Sequence, residues 1–188
     1  MSNMILNNKE LKILAEFTNS YNSKHYGRAI ASKLKMNQKT VSNILNSLEK
    51  QHVIKFKHEG KNKYYFLNKL NPATKEVIKL AEINKRIILF EKHKKLNQLL
   101  LEIEDRAKGI AVIFGSYANF TNNEKSDLDV FIVGSISELS DLESMYHIKI
   151  NVVKSTKDKF NSNELFLQEI MNNHILLKGV EEFISLTW

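Results

Sequence analysis

Leu11, Leu14 and Phe17 recur at helical spacing and predict a first helix over about residues 8–20. Ile30, Ala31 and Leu34 form the stripe of a short second helix at 27–35. A break at Met36-Asn37 follows, and Asn37 suits the N-cap of a third helix reaching about residue 51. In that helix Val41, Ile44, Leu45 and Leu48 form one apolar stripe at i, i+3, i+4 and i+7. The period then shortens to two. Val53-Ile54-Lys55-Phe56-Lys57 alternates, Glu59-Gly60-Lys61-Asn62 supplies a turn, and Lys63-Tyr64-Tyr65-Phe66-Leu67 returns as the second strand of a hairpin. Asn71-Pro72 opens another helical stretch, uninterrupted by glycine or a further proline as far as Arg106. Its apolar positions are too irregular for a sustained heptad, so two helices or one bent helix are expected, divided around residues 91–95. Later, Ile110-Ala111-Val112-Ile113-Phe114 and Val130-Phe131-Ile132-Val133 are apolar runs suited to buried strands.

Charge sharpens the reading of the first third. The chain's formal net charge is +7, of which residues 1–70 hold +9, residues 71–91 hold +1 and residues 92–188 hold −3. An anionic partner is therefore expected for the first part only, against the plainer reading of solvated lysine-rich faces. The third helix turns Gln38, Lys39, Thr40, Ser42, Asn43 and Asn46 away from its apolar stripe. These are groups that read base edges and phosphates. The hairpin adds Lys55, Lys57, Lys61 and Lys63, expected on its exposed side. Residues 29–67 closely resemble the winged helix-turn-helix of prokaryotic regulators. The resemblance implies double-stranded DNA as partner, with the third helix in the major groove and the wing on backbone or minor groove. Such regulators often pair through a helix flanking the DNA-binding unit, so residues 71–91 are expected to act as linker and dimerisation helix in a homodimer. The competing readings are a helical subdomain whose basic hairpin only keeps it soluble, a winged helix that binds protein instead of DNA, and, for residues 71–91, a simple spacer.

Candidate chemistry gathers in the second half. The apolar run ends in Gly115-Ser116, where glycine permits a sharp turn and the backbone N–H groups and hydroxyl can meet phosphates. Asp127-Leu128-Asp129 enters the next strand, and i and i+2 share a face, which brings two carboxylates together. Such a pair calls for a cation, and hard oxygen ligands suit Mg²⁺ and, through it, a nucleoside triphosphate. Gly115-Ser116-Tyr117-Ala118 followed by Ser126-Asp127-Leu128-Asp129-Val130 resembles the signature of the DNA polymerase beta-type nucleotidyltransferase superfamily. The likeness is to its minimal prokaryotic members and covers residues 92–188, including Ile175-Leu176-Leu177-Lys178-Gly179. The expected fold class is α+β: a three-helix winged-helix domain with a β-hairpin wing (1–70), a helical linker (71–91), and a small mixed α/β nucleotidyltransferase-like domain (92–188).

The match departs from the family at two points. Its catalytic members carry a third carboxylate on a later strand, which completes a two-metal site. Here that strand is expected at 147–153, with Asn151 in the third-acid slot and Lys149 on the same face. An amide offers one neutral oxygen and cannot act as a base. The family's Arg-Gly after the Gly-Ser turn is replaced by Asn119-Phe120. Asp141, Glu143 and Asp158 are the other acids nearby, all expected in helix or loop. The expectation is a DNA-binding transcriptional regulator whose second domain binds Mg²⁺-nucleotide better than it transfers it. The alternative is an active minimal nucleotidyltransferase, antitoxin-like, that nucleotidylates a protein or RNA partner.

Several classes are set aside. The absence of cysteine excludes disulfides and thiolate zinc sites. The histidines lack metal-ligand spacing, and His147 and His174 are expected to be structural or solvent-facing. No Ser-His-Asp, P-loop or Rossmann pattern is present. The polar start and the lack of a run of about 20 apolar residues argue against a leader or membrane span, so a cytoplasmic location is expected.

Overall fold

A computed structural model describes residues 6–160 and 165–188. The chain forms two compact units, Met1–Ala81 with Trp188, and Glu82–Thr187. Among the described residues no helix is long and apolar enough to cross a membrane.

In the first unit α1 (Asn8–Ala15) starts at a capping box, in which Asn7 and Glu10 each satisfy a backbone N–H of the other's turn. It ends before the expected residue 20, because Glu16, Phe17 and Thr18 donate to carbonyls three residues back and tighten the chain into turns. β1 (His25–Tyr26) follows, too short for any sequence period to show. α2 (Gly27–Lys33) and α3 (Gln38–Lys50) come next, and Asn37 caps α3 by accepting from the N–H groups of Lys39 and Thr40. β2 (Ile54–Glu59) and β3 (Asn62–Leu67) form the hairpin, and β1 completes a sheet of order β1-β3-β2. Ile13, Leu14, Phe17, Val41, Leu45, Leu48, Val53 and Ile54 are fully buried and fasten the helices to the sheet. This is the three-helix winged-helix arrangement.

α4 (Pro72–Lys92) is continuous, and a 3-10 turn at Lys94–Leu96 separates it from α5 (Asn97–Arg106). The break falls where the pattern placed it. In the second unit β4 (Ala107–Phe114) leads through the short helix α6 (Gly115–Ala118) to β5 (Leu128–Ile136). α7 (Ser140–Tyr146), β6 (Ile150–Ser155), α8 (Leu165–Asn172), β7 (Ile175–Lys178) and α9 (Val180–Thr187) complete it. The sheet order is β6-β5-β4-β7, with β5 and β6 parallel and the other pairs antiparallel. One sheet face packs Leu128, Val130 and Ile132 against Leu99, Leu100, Ile103 and Leu142. On the other, Phe131 meets the rings of Phe160 and Phe166. The third strand begins at Ile150, not at the expected residue 147, because His147 adopts a left-handed conformation (φ 51°) that ends α7.

His174 is buried. Its Nε2 lies 3.0 Å from Glu82 Oε1 and its Nδ1 lies 2.7 Å from the Met171 carbonyl oxygen. Lys85 joins the same carboxylate at 2.8 Å. Burial opposes the charge on Glu82, yet Lys85 and His174 hold its carboxyl below the ordinary range. The histidine is thus a structural member of a buried polar cluster.

Candidate nucleotide site and nucleic-acid face

Strand register assembles the carboxylate site. Phe114 pairs with Asp129 across β4 and β5, so the chain turns into Gly115-Ser116 directly beside that aspartate. Gly115 has φ +67°, and a Cβ there would stand 2.3 Å from Asp129 Oδ2. Glycine is therefore required both for the turn and for the approach of backbone to carboxylate. Asp129 pairs with Asn151 across the parallel strands β5 and β6. Asn151 Nδ2 donates to Asp129 Oδ1 at 3.0 Å and to Asp127 Oδ2 at 3.3 Å. Lys149 Nζ donates to the same Asp127 Oδ2 at 3.2 Å. All four expected site positions on these strands converge. In this arrangement the carboxylates are satisfied by an amide and an ammonium from the neighbouring strand.

The other acids lie elsewhere. Asp141 grips Arg106 through two bonds of 2.6 and 2.5 Å, which lower its carboxyl to about 2. Glu143 Oε1 accepts from the Ile150 N–H at 2.7 Å and so ties α7 to the start of β6. Asp158 sits in the turn after β6. Among the described residues no group of three or more His, Asp or Glu side chains is placed to hold a metal. Phe120 has φ 56°, stacks on His93 at 6.1 Å and lies 3.8 Å beneath the Lys92 ammonium. The Asn119-Phe120 segment is thereby anchored to the end of α4.

On α3, Gln38, Lys39, Ser42, Asn43 and Asn46 are exposed and Thr40 is half-buried. Asn46 is partly engaged, accepting from Lys63 Nζ at 3.4 Å and from the Tyr65 hydroxyl at 3.3 Å. Gln38, Lys39, Ser42 and Lys63 line a concavity of about 390 Å³ with Tyr26 and Arg28. Tyr26 and Arg28 escaped the sequence reading. The one available signal is that Arg28 is the sole arginine in the first seventy residues.

The expectation that all four wing lysines share one side needs correction. Glu59 pairs with Asn62 around a two-residue tip, so His58 lies opposite Lys63, Lys57 opposite Tyr64 and Lys55 opposite Phe66. Directly opposed residues share a face, and faces alternate along a strand. Lys63 therefore sits with Phe56 and Tyr65 on the α3 side, while Lys55 and Lys57 occupy the other face. Lys61 stands at the tip. Lys57 also shares Glu59 with Lys24, at 2.8 and 2.9 Å. Along α4, Leu80, Ile83 and Ile87 are 51%, 38% and 48% exposed, a stripe at i, i+3 and i+7.

Residues 93–184 match the family model of the nucleotidyltransferase domain. No curated protein matches the chain. Two solved structures are similar in part. The first is the solution structure of a homodimeric winged helix-turn-helix DNA-binding domain from Mycobacterium bovis, described as a possible ArsR-family transcriptional regulator. It shares 23% identity with a TM-score of 0.34, over 44% of this chain and 68% of that one. The second is a crystal structure of a toxin-antitoxin with AMP-PNP, at 18% identity and TM-score 0.35, over 55% of this chain and 78% of that one.

Proposed function

We propose that the chain is a DNA-binding transcriptional regulator whose nucleotidyltransferase-like unit binds a nucleoside triphosphate and has little or no transfer activity. The observation that carries the second half is the hydrogen bonding of Asn151 and Lys149 to Asp127 and Asp129. Two carboxylates and the Asn151 amide oxygen, after a flip of that amide, fit one Mg²⁺. The ion would supply charge neutralisation for a triphosphate. The phosphates are assigned to the Gly115-Ser116 turn, which stands directly against the Asp129 carboxylate. With Asp127 and Asp129 committed to the ion, the third-acid position holds only the neutral Asn151 amide, which cannot take a proton from an incoming hydroxyl.

The DNA half is supported by the exposed polar face of α3 with Lys61 and Lys63 beside it, in the most basic part of the chain. The partly exposed stripe Leu80, Ile83 and Ile87 supports pairing of two copies through α4. A second reading, an antitoxin-like transferase acting on a protein or RNA partner, draws support from the retained close approach of Gly115 to Asp129.

Thermal unfolding with and without Mg²⁺-ATP tests the nucleotide half. The ligand should stabilise the wild-type chain by roughly 1–3 kcal/mol at 10 to 100 times its Kd. Asp127→Asn with Asp129→Asn should remove that shift while leaving the apo midpoint in place. An unshifted wild-type midpoint with every triphosphate would overturn this half of the proposal.

A further inference from the structure

The outer face of the wing carries its own concavity, separate from the α3 face and from the aspartate site. Lys55 and Lys57 of β2 and Phe66 of β3 lie on the side of the hairpin away from Lys63 and Asn46. With Lys24, Lys69 and Leu70 they surround a pocket of about 350 Å³. Its apolar side is made by Phe66 and by Leu70, which is 87% exposed. Four lysines and no carboxylate line it.

The adjacent acid, Glu59, neutralises only part of this charge, since it is shared between Lys24 and Lys57. Lys55 and Lys69 make no ion pair among the described residues. The Lys69 ammonium lies over the Trp188 ring, 5.0 Å from its centroid, and partial burial lowers its pKa.

The combination narrows the ligand. A free phosphate would satisfy the ammonium groups and leave the apolar side wet. An acidic peptide without aromatic residues would supply carboxylates but no planar group for the Phe66 ring. The volume lies at the small end of pockets for small molecules, roughly 300–1,000 Å³. We propose that this outer-wing pocket binds a nucleoside phosphate, with its base over Phe66 and Leu70 and its phosphates among Lys24, Lys55, Lys57 and Lys69. The ligand is either a free nucleotide or one unit of a single strand, which share this chemistry.

The test uses the full chain carrying Asp127→Asn and Asp129→Asn, in EDTA, so that the metal-dependent site is silent. A fluorescent N-methylanthraniloyl-ADP probe should bind saturably, one per chain. Lys55→Ala with Lys69→Ala should weaken it tenfold or more, and Phe66→Leu, which keeps apolar volume but removes the ring, several-fold. Gln38→Ala with Lys39→Ala should leave it unchanged. Competition by ATP identifies a free nucleotide, and competition by a short single-stranded oligonucleotide at much lower concentration identifies a strand. Both outcomes support the pocket. Absence of saturable binding overturns it, as does equal competition by inorganic tripolyphosphate or by polyglutamate. Loss of binding in the α3 variant would place the probe on α3 and also overturn it. None of these results bears on Mg²⁺-ATP binding by the wild-type chain, so the two proposals fail separately.

Discussion

Asn151 Nδ2 lies 3.0 Å from Asp129 Oδ1, a hydrogen bond across two parallel strands. The amide donates to both carboxylates, whereas an acid at this position would repel them. Asn151→Asp should reverse this. Loss of two donor bonds and the added repulsion should lower apo stability by roughly 1–3 kcal/mol. Mg²⁺ should bind at least tenfold tighter, about 1.4 kcal/mol. That is well inside the about 4 kcal/mol available to unit charges about 4 Å apart at an effective dielectric of about 20. Calorimetric Mg²⁺ titration of both proteins reads the change. Equal affinity would mean that residue 151 does not face the metal seat.

The two sets of polar residues around α3 should separate by type of effect. Lys39→Ala with Lys63→Ala should weaken binding to all duplexes and reduce the slope of log K against log salt by about 2. Gln38→Ala or Asn43→Ala should cost about 1–3 kcal/mol on a preferred sequence and little on others. Anisotropy titrations across a salt series distinguish the two patterns. A wild-type chain without salt-sensitive duplex binding at low ionic strength contradicts the DNA assignment.

Pairing through α4 predicts a dependence on its exposed stripe. Ile83 and Ile87 are 38% and 48% exposed and one turn apart. Ile83→Lys with Ile87→Lys should yield monomers at concentrations where the wild type sediments as a dimer. Because both side chains are already partly hydrated, the thermal midpoint of the monomer should change little. Identical sedimentation of the two proteins would remove α4 as the interface.

The Arg106–Asp141 pair sets an acid-side signature. The Asp141 carboxyl is lowered to about 2 from an ordinary 3.8 by Arg106, so the folded state binds this proton less readily than the unfolded state. Its contribution is therefore present above the unfolded value and is lost as pH falls through the window from 3.8 to about 2. Asp141→Asn should flatten the pH dependence of the thermal midpoint in that window and leave its neutral-pH slope unaltered. An identical acid-side curve would show that the pair is not maintained in solution.

Much of this architecture was legible in the chain, for identifiable reasons. α3 shows because Asn37 is a strong cap and its apolar stripe has a clean 3.6-residue period. The break between α4 and α5 shows because a run of charged residues interrupts the apolar positions. Asp127 and Asp129 could be paired because strand alternation puts i and i+2 on one face, whereas Gly115 and Asn151 joined them through the resemblance to the nucleotidyltransferase signature. The start of β6 was misplaced because His147 takes a left-handed turn that periodicity cannot register. The wing lysines were assigned to one side because a hairpin's register depends on its tip. A two-residue tip at Gly60-Lys61 puts Lys63 opposite His58 instead of among Lys55 and Lys57. β1 and the Tyr26–Arg28 side of the α3 concavity carry no periodic signal and emerge only from tertiary packing.

The aspartate site should hold a nucleotide without transferring it, and one experiment reads both properties in the same sample. Wild-type chain with Mg²⁺ and α-phosphate-labelled ATP is followed by calorimetry for binding and by gel autoradiography for label on protein, RNA or DNA. Saturable ATP binding that depends on Asp127 and Asp129, with no label transferred over many hours, is the predicted result. Robust transfer by the wild-type chain, abolished by Asp129→Asn, would contradict it and establish the unit as an active nucleotidyltransferase despite Asn151.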